Sequence, residues 1–167
     1  MATGQTDGLA QRVCWLVAAI AIQLRLMANL LDGMVAVEGG KGGLTGEMWN
    51  EVPDRIADAA IFIGAGYAAG SSPLLGFGAA LVSVFVAYVR ALGASVGAGQ
   101  CFIGPQSKPQ RMAVLTAACV LIAALPVWQR VMPTTIVVAA LWVVVVGGVI
   151  TAWRRLSFIA AFLRQES

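Results

Sequence analysis

The chain has 167 residues, of which 59% are hydrophobic and 11% are charged, and its mean hydropathy is +0.84. A soluble domain of this size needs more charge to solvate its surface, so the composition indicates a membrane protein. The net charge is only +3 and no basic run is longer than Arg154–Arg155, which argues against nucleic-acid binding. The sequence has no histidine, which excludes metal sites built from histidine and catalytic Ser/His/Asp triads.

Long uncharged runs predict helices that cross a bilayer. Residues 59–89, 112–129 and 131–153 carry no charge, and a helix needs about 20 mostly apolar residues to span the hydrocarbon. The runs are continuous rather than alternating, which favours an all-α helical bundle over a β-barrel. A single polytopic membrane domain over 1–167 is therefore expected. Its five predicted segments lie at about 12–33, 50–70, 74–97, 111–129 and 134–156.

The connections between these segments contain helix-breaking residues. A glycine-rich loop at 39–43 follows the first segment, and Pro53 is expected in the first turn of the second. A GSSP turn at 70–73 and an MPTT turn at 132–135 separate later segments, and a short amphipathic tail is expected after the fifth.

Basic residues in the loops predict the orientation of the bundle. If the segments alternate across the membrane, most basic residues fall on one side, which the positive-inside rule makes cytoplasmic. The opposite turns hold only Arg130, and the N-terminus is then expected outside. The residues that set this orientation are Lys41, Arg55, Lys108, Arg111, Arg154, Arg155 and Arg164.

Acidic residues are concentrated between the first two segments: six of the eight Asp and Glu residues fall between 32 and 58. Asn29 and Asp32 share a helix face, and so do Asn50 and Asp54. If the flexible loop brings the two faces together, their oxygens would surround a hard cation such as Mg²⁺. The alternative for Glu38, Glu47 and Glu51 is that they are solvated helix ends.

Residues 29–54 resemble the signature of the CDP-alcohol phosphatidyltransferase family, Asp-x-x-Asp-Gly-x-x-Ala-Arg, eight residues, then Gly-x-x-x-Asp-x-x-x-Asp. The stretches NLLDGMVAV and GEMWNEVPD fall in register without a gap, and Arg55 supplies the basic residue that commonly follows. The matching positions are Asp32, Gly33, Ala36, Gly46 and Asp54. The sequence departs from the pattern at Asn29, Asn50 and Val37, which replace two aspartates and an arginine.

A second register would use Asp54 and Asp58 as the last two aspartates. It requires four extra residues after Ala36, puts Asn50 where the pattern has glycine, and leaves Gly46 without a role. The ungapped register is therefore preferred.

The resemblance implies a six-helix membrane enzyme that moves a phosphatidyl or related group from a CDP-linked donor, such as CDP-diacylglycerol, to an alcohol, releasing CMP. It implies that Asp54 is the general base and that a divalent ion, Mg²⁺ or Mn²⁺, is held by Asp32 and Asp54 with Asn29 and Asn50. Asparagine keeps a carbonyl oxygen but loses the charge, so weaker metal binding is expected. The small residues Gly33, Ala36 and Gly46 would let the CDP group approach the helices closely.

Other basic residues are candidates for contacts with substrate. Arg25 lies four residues before Asn29 on the same helix face. We expect it either to enter the site, where it would offset the acidic charge or bind donor phosphate, or to extend to the membrane interface. The stretch YVRALGASVGAGQCFIGPQSKPQR resembles the family's acceptor segment, which makes Arg90, Lys108 and Arg111 candidates for holding an acceptor's phosphate. Their alternative role is positive-inside anchoring.

The sequence leaves three functions open. The first is an active phosphotransferase of phospholipid biosynthesis in the inner membrane, its site facing the cytoplasm, with an acceptor that Arg90 and Arg111 favour as phosphorylated. The second is a degenerate relative that binds nucleotide or lipid without turnover, which the two asparagines favour. The third is a small transporter or scaffold. The resemblance also implies a homodimer, and Gly64, Gly66 and Gly70 would permit close helix packing.

Overall fold

The computed structural model describes residues 3–38, 44–68, 71–125 and 133–166, and these residues form five α-helices. In α1 and α2 the side chains of residues 32–38 and 44–50 lie outside the described part, although the backbone there is helical. The helices are α1 (Thr3–Glu38), α2 (Leu44–Tyr67), α3 (Pro73–Ser95), α4 (Lys108–Ala124) and α5 (Pro133–Glu166).

The all-α bundle predicted from the uncharged runs is confirmed. Three stretches are long and apolar enough to cross a membrane: Gly8–Asn29, Pro73–Ser95 and Thr134–Gln165. Of the other two helices, α4 has only 17 residues, and α2 carries four of the six acidic residues between 32 and 58. The chain is therefore a membrane protein whose shorter or more polar helices pack beside three spanning ones.

Some helix ends differ from the prediction. The second helix begins at Leu44 rather than near Asn50, so Pro53 lies inside it instead of in its first turn and removes one backbone hydrogen bond. The fifth helix continues through the predicted tail to Glu166. Polar residues thus remain helical beyond the apolar part of the chain, because a helix satisfies its own backbone groups in water as well as in lipid.

The helices form a ring that is incomplete on one side. The most extensive contacts join α2 to α3, α3 to α5 and α1 to α4, and α4 packs on α5, whereas α1 and α2 touch only slightly. The core between them contains large side chains that are almost fully buried, among them Phe62, Met112, Ile122, Leu141 and Val144. The weak contact between α1 and α2 leaves a groove between these two helices.

The backbones of α2 and α3 touch at a pair of glycines. A Cβ atom added to Gly76 would lie 2.8 Å from the Cα of Gly66, and one added to Gly66 would lie equally close to Gly76. Small residues permit this approach, as predicted for Gly66. A Cβ atom on Gly64 would meet nothing within 4 Å, and Gly70 lies outside the described residues.

We predict that Gly76→Ala destabilises the protein by about 1–3 kcal/mol, because the added methyl group forces the two backbones apart. Gly78→Ala is the matched control on the same helix, since a Cβ atom there meets nothing within 4 Å. It should leave stability unchanged or raise it through better helix propensity. Thermal unfolding in detergent measures both, and equal melting temperatures for the two variants would contradict the close contact.

Candidate functional site

Charged side chains from all five helices meet at one end of the bundle around a cavity of about 140 Å³. We call it the polar cavity. Its walls come from α1, α2, α3, α4, α5 and the loop 96–107. The lining residues are Asn29, Glu51, Asp54, Arg55, Val86, Ala87, Arg90, Phe102, Ser107, Lys108, Pro109, Arg111 and Arg155.

Asp54 on α2 is the centre of the hydrogen-bond network. Its Oδ1 accepts from the Arg25 guanidinium of α1 at 2.6 Å, and Arg25 also donates to the Asp54 carbonyl at 3.1 Å. Its Oδ2 accepts from the Asn29 amide and from the Lys108 ammonium group of α4. The Asp54 side chain is only 13% exposed, so these charge-assisted bonds form where water competes little. Asp54 thus ties α1 and α4 to α2.

Asp58 belongs to the same cluster, although the ungapped signature does not include it. It lies one helical turn after Asp54 and accepts from Arg25 at 3.2 Å, with a side chain only 2% exposed. Its Oδ2 has no hydrogen-bond partner among the described residues. The spacing of four between the two aspartates was visible in the sequence, but their shared arginine depends on how α1 packs.

A second ion-pair group lies at the more exposed side of the polar cavity. Glu51 accepts from Arg90 of α3 at 2.8 Å and from Arg55 one turn along α2. The Glu51 side chain is 43% exposed, so these pairs contribute little to stability. The Arg90 guanidinium also lies 5.8 Å from the ring centre of Phe102 in the loop.

Two further arginines are buried in the wall. Arg111 is 2% exposed and donates only to the Ser83 carbonyl, at 3.4 Å, while its Nε has no partner among the described residues. Arg155 is 3% exposed and donates to the carbonyls of Val86 and Ile103, each at 3.1 Å. Arg155 therefore joins α5 to α3 and to the loop.

The loop 96–107 is shaped by backbone conformations that favour glycine. Gly97, Gly99 and Gly104 have positive φ angles. Thr151 of α5 anchors the loop: its hydroxyl oxygen accepts from the Gln106 backbone at 3.0 Å, and the hydroxyl donates to the Gly147 carbonyl at 2.7 Å. The loop ends at Ser107, whose backbone N–H donates to the Gln110 side chain at 2.6 Å as α4 begins.

The structure brings five of the residues chosen from sequence into the polar cavity: Asn29, Asp54, Arg90, Lys108 and Arg111. Arg25 contacts Asp54 directly. The remaining five are Asp32, Gly33 and Ala36 in α1, and Gly46 and Asn50 in α2, whose side chains lie outside the described part. A cation shared by Asp32 and Asp54 therefore stays a prediction. Sequence reasoning did not select Asp58, or Arg155, which it assigned only to membrane orientation.

The described residues do not fit a divalent metal ion well. Both oxygens of Asp54 already accept hydrogen bonds from nitrogen donors, and Asn29 presents its amide nitrogen, not its oxygen, to this carboxylate. Within the described ranges no three Asp, Glu, Cys or His side chains come together as a metal site would require. No step derived below passes through a metal.

An apolar groove lies beside the polar cavity, in the gap between α1 and α2. It encloses about 540 Å³, and its floor is formed by Leu115 and Cys119 of α4. Arg25 is the sole charged residue among those that line it. The other lining residues are Trp15, Ala18, Ala21, Ile22, Ala57, Ala60, Ile61, Gly64, Ala65 and Ala68. Because Arg25 also pairs with Asp54, it separates the groove from the polar cavity.

No protein-family model matches the chain, and no curated protein matches it.

We predict that Arg155→Met loosens the loop 96–107, because the carbonyls of Val86 and Ile103 lose their buried donor. Amide exchange in peptides covering 96–107 should become about tenfold faster or more, since a loop held by fewer contacts opens more often. Arg154→Met is the control, since Arg154 is exposed at the neighbouring position of the same helix. Equal exchange in the two variants would show that Arg155 does not hold the loop.

Proposed function

We propose that the chain is a membrane phosphotransferase that moves a phosphatidyl or related group from a CDP-linked lipid to an alcohol and releases CMP. The observation that supports this most directly is that the apolar groove and the polar cavity adjoin at Arg25. The apolar groove lies on one side of this residue, and Asp54 with the polar cavity lies on the other. A substrate with an apolar chain joined to an anionic headgroup matches this division.

The apolar groove suits the hydrocarbon part of the donor. Its lining is almost entirely apolar, and Ala21, Ala60 and Gly64 are exposed along it, so a chain can lie there without displacing side chains. Small lining residues leave room for a hydrocarbon chain, and each methylene group that the groove buries contributes about 0.8 kcal/mol to the free energy of binding. The diphosphate would then lie near Arg25 and extend into the polar cavity.

The polar cavity suits the reacting groups. Asp54 is the base: its carboxylate takes the proton of the acceptor hydroxyl as that oxygen attacks the donor phosphorus. A new bond forms between the alcohol oxygen and phosphorus, and the bond from this phosphorus to the oxygen of CMP breaks. Lys108, Arg111 and Arg90 line the cavity, where fixed positive groups stabilise the charge on the departing phosphate.

The same positive groups favour one class of acceptor and one orientation of the protein in the membrane. More cationic than acidic side chains line the polar cavity, which favours a phosphorylated alcohol as acceptor. The cluster also gathers Arg55, Lys108 and Arg155 at one end of the bundle. The protein then lies in the inner membrane, and by the positive-inside rule this end faces the cytoplasm.

The test is release of CMP from CDP-diacylglycerol by the purified protein over a panel of alcohol acceptors, with Mg²⁺, Mn²⁺ or EDTA present. Asp54→Asn should lower the rate at least about a hundredfold, because a general base contributes a factor of this size. Glu51→Gln is the control, since Glu51 lines the same cavity but is paired with Arg55 and Arg90. Wild-type turnover by Asp54→Asn would exclude Asp54 as the base.

A second prediction concerns the groove. Gly64→Leu fills open space in it without a clash, so it should raise the KM for CDP-diacylglycerol about tenfold while leaving the affinity for water-soluble CDP unchanged. Gly78→Leu also enters open space, on α3 outside the groove lining, and should change neither quantity. If Gly64→Leu leaves the KM unaltered, the hydrocarbon chain does not occupy the groove.

One observation favours the second candidate, a relative that binds the lipid nucleotide without turnover. Both carboxylate oxygens of Asp54 are engaged by Arg25, Asn29 and Lys108, so an acceptor hydroxyl would have to displace one of these donors before it could donate to the carboxylate. The same assay separates the two functions: binding of CDP-diacylglycerol with no CMP release for any acceptor would establish the second.

A further inference from the structure

We infer that the polar cavity binds the phosphate groups of its substrate with side-chain cations instead of a divalent metal ion, with Lys108 as the cation opposite Asp54. This inference rests on the proposed function. It departs from the metal dependence that the family resemblance implies, and it follows from the charges and contacts of the described residues.

The first step is the charge balance of the cavity. Five cationic side chains line it, against the two carboxylates of Glu51 and Asp54. The described walls therefore carry an excess of three positive charges. In surroundings that exclude much of the water, such a field repels a divalent cation and attracts an anion.

The second step concerns the position next to Asp54. The Lys108 ammonium group contacts Oδ2 of Asp54, and both side chains are largely buried, at 15% and 13% exposure. Arg25 occupies Oδ1. A metal ion bound by this carboxylate would have to displace at least one of these cations, whereas a phosphate can approach Lys108 without breaking its contact, because an ammonium group has three donors.

The third step is a buried donor that has no acceptor. Arg111 lines the cavity at 2% exposure, forms one long bond to Ser83, and has an Nε atom without a partner among the described residues. A buried cation with unused donors is costly unless an anion joins it.

Together these features describe an anion site that is complete without a metal. Lys108 and Arg111 lie three residues apart on α4, on the same face, and Arg90 approaches the same cavity from α3. A diphosphate bridging them would offset the excess charge of the walls. Lys108 then balances the charge on the donor phosphate while it keeps its contact with Asp54.

The experiment measures CDP binding to the full chain in detergent by calorimetry, once with EDTA and once with Mg²⁺ in excess. We expect dissociation constants within about twofold of each other, and no shift in melting temperature on adding Mg²⁺ alone. Lys108→Met should weaken CDP binding in EDTA about tenfold. Lys108→Arg should retain binding, and Arg154→Met, which removes a charge outside the cavity lining, should bind as the wild type does.

The outcomes distinguish this inference from the proposed function. Binding of CDP only when Mg²⁺ is present would overturn the inference and leave the proposed function standing. A failure of CDP to bind in both conditions would remove the proposed function as well. The melting temperature of Lys108→Met without ligand shows whether it is folded. If Lys108→Met is not folded, the comparison of CDP binding in EDTA and in Mg²⁺ by the wild type decides alone whether binding requires a metal.

Discussion

The ion pair between Arg25 and Asp54 is the interaction on which the arrangement of this protein depends. The helices that carry these residues otherwise touch only slightly. Among the described side chains, their charged ends are joined by this contact at 2.6 Å, with Asp58 as a second acceptor and Asn29 as a second donor to Asp54. An arginine in an apolar helix is costly unless it is paired. Here the pairing holds α1 and α2 together at their charged ends and leaves the apolar groove between them open.

This pair also explains how a polar cavity and an apolar groove come to lie side by side. The guanidinium of Arg25 ends the apolar groove, and its partner Asp54 begins the polar cavity. Around Asp54, donors from α1 and α4 converge on one carboxylate, while Arg155 and Thr151 of α5 hold the loop that covers the other side. The charged groups around Asp54 thus rest on helices, and the loop is fixed by buried hydrogen bonds.

The sequence predicted the helices better than it predicted the contacts between them. Hydrophobic segments, three of them within uncharged runs, predicted the five helices of the described residues, because the membrane requires each apolar segment to satisfy its own backbone. Spacing along one helix placed Asn29 with Arg25, and the family resemblance selected Asp54, Arg90, Lys108 and Arg111. Asp58 was set aside with the second register, and Arg155 was assigned only to membrane orientation. Their contacts are with residues 33 and 52 positions or more away in sequence, and local periodicity contains no such information.

The partial ring formed by the helices determines how the site can be reached. Because α1 and α2 are separated along their apolar length, and Ala21, Ala60 and Gly64 are exposed there, the groove is open sideways. The lipid donor of the proposed reaction could therefore approach by lateral diffusion, with its tails remaining in hydrocarbon throughout, and its supply would depend on how many such molecules the surrounding leaflet contains. A water-soluble acceptor would arrive at the charged end instead, so the two proposed substrates would not compete for one entrance.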